Sequence, residues 1–272
     1  MLQLDQMTTN QPAFIYTVAN QKGGVGKTTT TVNLAAFIAA RRAKVLIIDS
    51  DPQGNATSSL GVADDDGQAT LYDTLINKVP LKDVIRPTSR ERLFIAPAGP
   101  ELAAAEVEMV QVMARETLLH KALQPVIEDY DFIFIDTPPS LGLLTVNALT
   151  ACNQGVIIPV QCEYLALEGL GQLIHTVNLV QENLNAELQV AGVVMTMYDG
   201  RTNLAADVVK EVKDYFPEQL FKSIIPRNIR LSEAPSYGED ILAYAPSSTG
   251  CMAYQKLTEE LLSRVRRQMV GA

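Results

Sequence analysis

The run Asn20-Gln21-Lys22-Gly23-Gly24-Val25-Gly26-Lys27-Thr28-Thr29 gathers glycines, lysines and threonines into one short stretch. Residues of these types at this spacing bind phosphate. Gly23, Gly24 and Gly26 let the backbone turn tightly and aim successive N–H groups at anionic oxygens, and a helix that follows adds its positive end. Lys27 is spaced to hold the β and γ oxygens of a nucleoside triphosphate and Thr28 to ligate Mg2+, with Val25 and Thr29 completing the loop. Carboxylates are the natural complement. Asp136, after the apolar Phe132-Ile133-Phe134-Ile135, is expected to hold Mg2+ through water, because hard cations keep several waters. Asp51, in Asp51-Pro52-Gln53-Gly54-Asn55, is a second acid expected beside the metal. Asp49 ends an apolar run, and its alternate-face position favours a structural hydrogen-bonding role.

These residues need elements to hold them. Residues 13–19 read as a strand entering the loop and residues 28–40 as a helix leaving it, which is the context a phosphate loop requires. Apolar runs at 44–49, 92–96, 132–135, 155–160, 190–197 and 221–225 suit strands buried on both faces. Helix-length stretches at 103–113, 117–128, 143–151, 167–182 and 204–215 separate most of them. The alternation predicts an α/β fold, a doubly wound, mostly parallel sheet flanked by helices, with its ligand at the carboxyl ends of the strands. Residues 54–79, which include Asp64, Asp65 and Asp66, break the rhythm and read as a mobile surface excursion. Thr137-Pro138-Pro139-Ser140-Leu141-Gly142 starts stiffly and ends in glycine, as suits a switch loop governed by a γ-phosphate.

A chain of 272 residues with 47% hydrophobic content can bury a large core, so residues 13–272 are expected to form a single domain. Residues 1–12 are polar and mixed; they read as a flexible tail and not as a signal peptide. No apolar stretch approaches the roughly 20 residues a bilayer crossing needs. Cys152, Cys162 and Cys251 are odd in number and widely spaced, which argues against a disulfide framework or a metal pair and favours a reducing cytosol. His120 and His175 have no nearby ligand pair and receive no role. The net charge of −9 argues against constitutive adhesion to nucleic acid, so DNA binding would need a local patch or assembly.

Gln21 stands where the usual phosphate loop has its first glycine, and Lys22 is added ahead of Lys27. This variant resembles the deviant Walker A box of the ParA/MinD/nitrogenase iron protein class of P-loop ATPases. The resemblance runs from about residue 13 to residue 265 and is closest to the chromosomal Soj/ParA branch. It is carried further by Asp51-Pro52-Gln53-Gly54-Asn55-Ala56-Thr57, Asp136-Thr137-Pro138-Pro139, Met197-Tyr198-Asp199-Gly200-Arg201-Thr202-Asn203-Leu204 and residues 226–235. It implies an ATPase whose catalytic set is Lys22, Lys27 and Asp51, with ATP and Mg2+ as cofactors. In such a protein Lys22 crosses a nucleotide-sandwich homodimer to the partner's phosphates, and Asp51 positions the attacking water. A carboxylate beside triphosphate is a feeble base, so slow turnover is expected. By the same resemblance Pro226, Asn228 and Met197 contact adenine.

The resemblance also implies a cytoplasmic, nucleoid-associated protein of chromosome or plasmid partition. Its ATP-bound dimer would coat double-stranded DNA without sequence preference until a ParB-type centromere-binding protein stimulates hydrolysis. Arg201 and Arg230 are the candidate DNA contacts, with Lys210, Lys213, Lys222 and Arg227 as helpers. Residues 200–230 carry six basic and four acidic side chains, a modest local excess that a dimer would double. A MinD-like membrane switch is the alternative. It would end in a lipid-inserting helix, and the last helical stretch does carry Arg264, Arg266 and Arg267. Yet Tyr254, Leu257, Leu261, Val265 and Met269 fall at helical spacing and read as a core-facing stripe, so no membrane partner is expected. A reductase like the nitrogenase iron protein would need paired cysteines that this chain lacks.

Overall fold

The computed structural model describes residues 12–62, 67–163 and 166–271. The expected tail therefore lies, except for Pro12, outside the described residues, as do Asp64, Asp65 and Asp66. Strands β1 (Phe14–Val18), β2 (Val45–Asp49), β3 (Arg86–Pro87), β4 (Leu93–Ala96), β5 (Phe132–Asp136), β6 (Gly155–Gln161) and β7 (Val190–Thr196) form one sheet in the order β3-β4-β2-β5-β1-β6-β7. Every neighbouring pair is parallel except β3 with β4. This is the doubly wound α/β sheet that the apolar runs predict. β2 and β5 are buried at every position because helices cover both faces.

Successive strand residues serve opposite layers. Tyr16, Val18, Val45, Ile47, Phe132 and Phe134 face α1 (Lys27–Ala39) and α12 (Thr249–Gly271). The Tyr16 and Phe134 rings stack there with centroids 5.7 Å apart. Ile15, Leu46, Ile48, Ile133 and Ile135 face the other layer, which includes α5 (Leu102–Glu108), α6 (Leu118–Leu123), α7 (Leu143–Ala151) and α8 (Ala166–Asn183). On α12, Tyr254, Leu257, Leu261 and Val265 are buried and Met269 packs partly against them, so the stripe serves the core. Among the described residues no helix is long and apolar enough to cross a membrane.

Two expectations need correction. Residues 54–79 are not a loose excursion where they are described: α2 (Asn55–Ser59) and α3 (Leu71–Leu75) bury Ala56, Leu60, Leu71 and Leu75. A reciprocal capping box between Thr70 and Asp73 starts α3, which a reading of hydrophobic rhythm overlooks. Residues 221–225 are not a strand. They run beside β7, donating from Phe221 to Val193 O and from Ile225 to Met195 O, but only isolated bridges at Leu220 and Pro226 form. The outer side of this segment is held by a side chain instead. Arg264 of α12 donates to the carbonyls of Ala191, Gln219 and Leu220, and its guanidinium lies 3.9 Å from the Phe221 ring centroid. Phe221 in turn packs where Gly192 leaves room; a Cβ there would run into its ring.

Candidate nucleotide site

β1 lies between β5 and β6, so the loop that leaves it opens where the strand order diverges. In register, Val18 and Asp49 both sit beside Asp136. Parallel neighbours in register share a face, so Asp49 and Asp136 are brought together beneath α1. Gly24 (φ 74°) and Gly26 (φ 91°) occupy the left-handed region, where a Cβ would be strained. Asn20 pins the loop from within, donating to Pro159 O at 2.7 Å and accepting from Lys22 N at 3.0 Å. Thr196 donates to Val25 O at 2.8 Å and ties the buried Val25 to β7. Among the described residues, no protein acceptor is bonded to the N–H groups of Gly24, Gly26, Lys27 or Thr28. These amides and the start of α1 together form an anion cradle.

Lys27 is buried and donates to Lys22 O at 3.3 Å. Burial lowers its pKa, while Asp136 and then Asp51 oppose that shift. Thr28 and Thr31 donate to the two oxygens of Asp136 at 2.7 and 3.0 Å. Asp136 is fully buried; burial and then the neighbouring Asp49 push its carboxyl up, and Thr28, Thr31 and Lys27 pull it back. A buried carboxylate under that tension, with a hydroxyl beside it, is a fitting oxygen donor set for a hard divalent cation.

Asp49 accepts from Thr57 N and Thr57 Oγ1 at 2.8 and 2.7 Å, and from Asp51 N at 3.2 Å. Thr57 also accepts from Ala98 N at 3.1 Å, so Asp49 sits inside a hydrogen-bonded clamp across β2 and the end of β4. Asp51 is only 5% exposed, accepts from Gln53 N at 3.0 Å, and lines the cleft in front of the loop.

That cleft, about 340 Å3, is bounded by Gly23, Gly24, Gly26, Lys27, Thr28 and Thr29, with Asp51 and Pro139 opposite. A second cavity of about 480 Å3 is lined by Met197, Pro226, Asn228, Leu231 and Tyr254 among others. Gly26, Thr29, Met197 and Pro235 border both. A cleft walled by phosphate-loop amides, Lys27 and Asp51 that continues into one walled by Met197, Pro226, Leu231 and Tyr254 has the shape and chemistry of a nucleotide site.

Not every expected residue enters it. Lys22 lines neither cavity; its ammonium pairs with Glu163 Oε2 at 3.1 Å, with the side chains 38% and 45% exposed. Asn228 lines the cavity with its amide engaged: Oδ1 caps α10 (Ile229–Glu233) through Arg230 N at 2.8 Å, and Nδ2 donates to Thr249 Oγ1 at 2.7 Å. Arg201 is on the surface, donating to both Asp199 oxygens at 2.8 and 2.6 Å. It holds the Asp199 carboxyl well below the ordinary range. Arg230 pairs with Glu233 at 2.8 Å.

The sequence reading gives no site role to Asn20, Thr31, Thr57, Glu163, Thr196 or Tyr254, although Asn20 and Thr57 lie within its motifs and Tyr254 within its core-facing stripe. Thr31 lies one turn after Thr28, and Glu163 and Thr196 lie at strand ends, so helical spacing and topology could have nominated them. Nothing local marks Tyr254, whose hydroxyl meets Thr30 Oγ1 at 3.2 Å from a helix far along the chain.

Residues 13–190 match the family described as AAA domain. The sporulation initiation inhibitor protein Soj of Bacillus subtilis is 53% identical over 91% of this chain and 97% of its own length. The chromosome partitioning protein ParA of Myxococcus xanthus is 50% identical over 92% of this chain and 88% of its own. Among solved structures, the cobyrinic acid a,c-diamide synthase of Mycobacterium smegmatis with bound ATP analog and magnesium is 35% identical. It superposes with a TM-score of 0.82 over 93% of this chain and 96% of that one.

Proposed function

The chain belongs to the Soj/ParA family of chromosome-partitioning ATPases, and from this we propose a DNA-partitioning switch that works as an ATP-bound sandwich homodimer. Its cofactors are ATP and Mg2+, and the reaction is hydrolysis to ADP and phosphate. Residues 13–272 act as one ATPase domain.

The cradle amides and Lys27 hold the phosphate oxygens, and Pro226 and Met197 offer apolar contact to the base. Thr28 and Asp136 would hold Mg2+, with Asp51 nearby. Bound Mg2+ supplies charge neutralisation at the β and γ phosphates. Asp51 orients the attacking water; Thr57 and Asp49 hold its loop, and Gly54, left-handed at φ 60°, lets that loop turn into α2.

One observation carries the dimer. Lys27 already fills the phosphate-binding lysine position, whereas Lys22 stands outside the cleft, its half-exposed ammonium paired, among the described residues, with Glu163. An ammonium so placed is free to exchange that surface pair, worth about 1 kcal/mol or less, for the phosphates of a second copy.

Arg201 and Arg230 are the proposed DNA contacts. Each must exchange a carboxylate partner for phosphate, which makes a monomer a weak binder, and dimerisation doubles the number of phosphates neutralised. A ParB-type centromere-binding protein stimulates hydrolysis and releases the dimer, so the protein resides in the cytoplasm on the nucleoid. Co-sedimentation with double-stranded DNA tests this reading. DNA retention is expected with ATP, to be absent with ADP, to fall steeply as salt rises, and to be lost in Arg201→Glu; equal retention with ADP defeats it.

A further inference from the structure

A third cavity, of about 640 Å3, lies at the far end of the sheet from the phosphate loop. Its walls come from the end of α1, from Ser89 to Arg92 in the turn between β3 and β4, and from Asp240 and the start of α11 (Ile241–Tyr244). Arg42 lies just ahead of β2 and Arg92 directly precedes β4, so the cavity sits at the amino ends of these parallel strands. The nucleotide cleft sits at the carboxyl ends. The chemistry of the two differs as well. Among the described residues, no aromatic or large apolar side chain borders the third cavity, in contrast to Met197, Pro226 and Tyr254 around the base cavity.

Two of its arginines stand where the backbone disfavours them. Arg42 (φ 72°) ends the turn that closes α1, and Arg92 (φ 64°) ends the turn before β4. Backbone bonds fix both: Arg42 N donates to Ala39 O at 2.8 Å, and Arg92 O accepts from Val45 N at 2.9 Å. Glycine takes this left-handed region freely, whereas arginine does so at a cost. Residues held there gather at ligand clamps. Among the described residues five non-glycine positions adopt it, and three of them, Arg42, Arg92 and Met197, border a cavity described here. Neither the Arg42 nor the Arg92 guanidinium has a hydrogen-bond or ion-pair partner among the described residues. Arg90 is held differently. Its Nε and Nη2 donate to Asp240 at 2.6 and 2.7 Å, and the buried Asp240 also caps α11 through the amides of Leu242 and Ala243. That fixes the Arg90 guanidinium and leaves its Nη1 without a partner among the described residues.

These charges select a ligand. Two unpaired guanidiniums balance a dianion, and with Arg90 three planar donors serve the three oxygens of a phosphoryl group, where a carboxylate offers two. Arg90 neutralises Asp240, which leaves Glu91 and Glu239 as the acids on the wall. A carboxylate repels phosphate but accepts from hydroxyls, so the remainder of the ligand is a polyol. The volume admits a small phosphorylated molecule, and the missing aromatic wall disfavours a stacked base. We propose that the cavity bordered by Arg42, Arg90 and Arg92 binds a phosphorylated polyol of the sugar phosphate class. The arginines take its phosphoryl oxygens, and Glu91 and Glu239 accept from its hydroxyls.

The test uses the full chain with ADP and Mg2+ present, so that the phosphate loop is occupied, and glucose 6-phosphate as the probe in isothermal titration at constant ionic strength. Saturable binding is expected, with inorganic phosphate at least ~10-fold weaker and glucose silent. Arg42→Gly and Arg92→Gly should each weaken the probe at least ~10-fold. Glycine suits both backbone positions, so a thermal midpoint at or above that of wild type should accompany the loss. Glu239→Ala should weaken glucose 6-phosphate and not inorganic phosphate. Absence of saturable binding, equal binding of inorganic phosphate, or unaltered affinity in both arginine variants overturns the proposal. So does tighter binding of free glutamate, because the ligand is then an amino acid. Both arginines lie away from the nucleotide cleft, so binding of a fluorescent ATP analogue, measured separately, reports on the nucleotide reading whichever way the titration falls.

Discussion

At the scale of single residues, the two aspartates after β2 do different work because of what they touch. Asp49 is saturated by Thr57 and the Asp51 amide, whereas Asp51 faces the phosphate cleft with one oxygen tied to Gln53. Asp51→Ala should therefore abolish phosphate release yet leave the affinity for a fluorescent ATP analogue within about threefold, since no direct phosphate contact is removed. Unchanged phosphate release would defeat the assignment to Asp51. The cysteines offer a second check. Burial raises the thiols of Cys152 and Cys162 to about 11, so at pH 8 only roughly one thiol in a thousand is ionised, against about a quarter for a free cysteine. Iodoacetamide, followed by peptide mass mapping, should label Cys152 and Cys162 of the native protein at least ~100-fold more slowly than in the urea-unfolded chain at pH 8. The native rate should keep rising toward pH 11, beyond the point where the unfolded rate levels off. Fast labelling at neutral pH would show that these thiols are not the buried small hydrophobes described above.

At the scale of elements, α12 acts as a brace. Arg264 reaches from it to three carbonyls and the Phe221 ring, holding residues 219–221 against β7. Arg264→Ala should cost about 1–3 kcal/mol, because three part-buried carbonyls lose their donor and a cation–π contact is lost with them. Urea denaturation measures this; a loss under ~0.5 kcal/mol would make the arginine a surface residue in energetic terms. The element also shows where the sequence could and could not be read. The apolar runs at 45–48, 132–135 and 155–160 announce strands because both of their faces are covered. The run at 221–225 is broken by Lys222 and Ser223, and their amides go to Glu260 of α12 while Arg264 takes the carbonyls just before them, contacts from a distant helix that no local pattern records. The phosphate loop and Asp136 are legible because their chemistry is packed into contiguous residues. Asn20, Thr196 and Tyr254 are not, because each acts on an element remote in sequence. Arg201 and Arg230 read as free cations in the sequence, although Asp199 and Glu233, which engage them, lie only two and three residues away, the latter at helical spacing.

At the scale of the whole molecule, the account turns on a lysine that its own nucleotide cleft does not need. Lys22 lies at the rim, paired with Glu163, while Lys27, Thr28, Asp51 and Asp136 already surround one phosphate site. Everything proposed for DNA follows from a second copy supplying the missing acceptor for that charge, since only a dimer doubles the phosphate contacts of an acidic chain with net charge −9. The decisive measurement is mass and DNA retention together, by sedimentation velocity with ATP and Mg2+, for Asp51→Ala and for Asp51→Ala with Lys22→Ala. In the first variant, where hydrolysis is blocked, an ATP-bound dimer that retains DNA is predicted. In the second, ATP occupancy should persist while the protein stays monomeric and releases DNA; a dimer that still holds DNA without Lys22 would contradict the account.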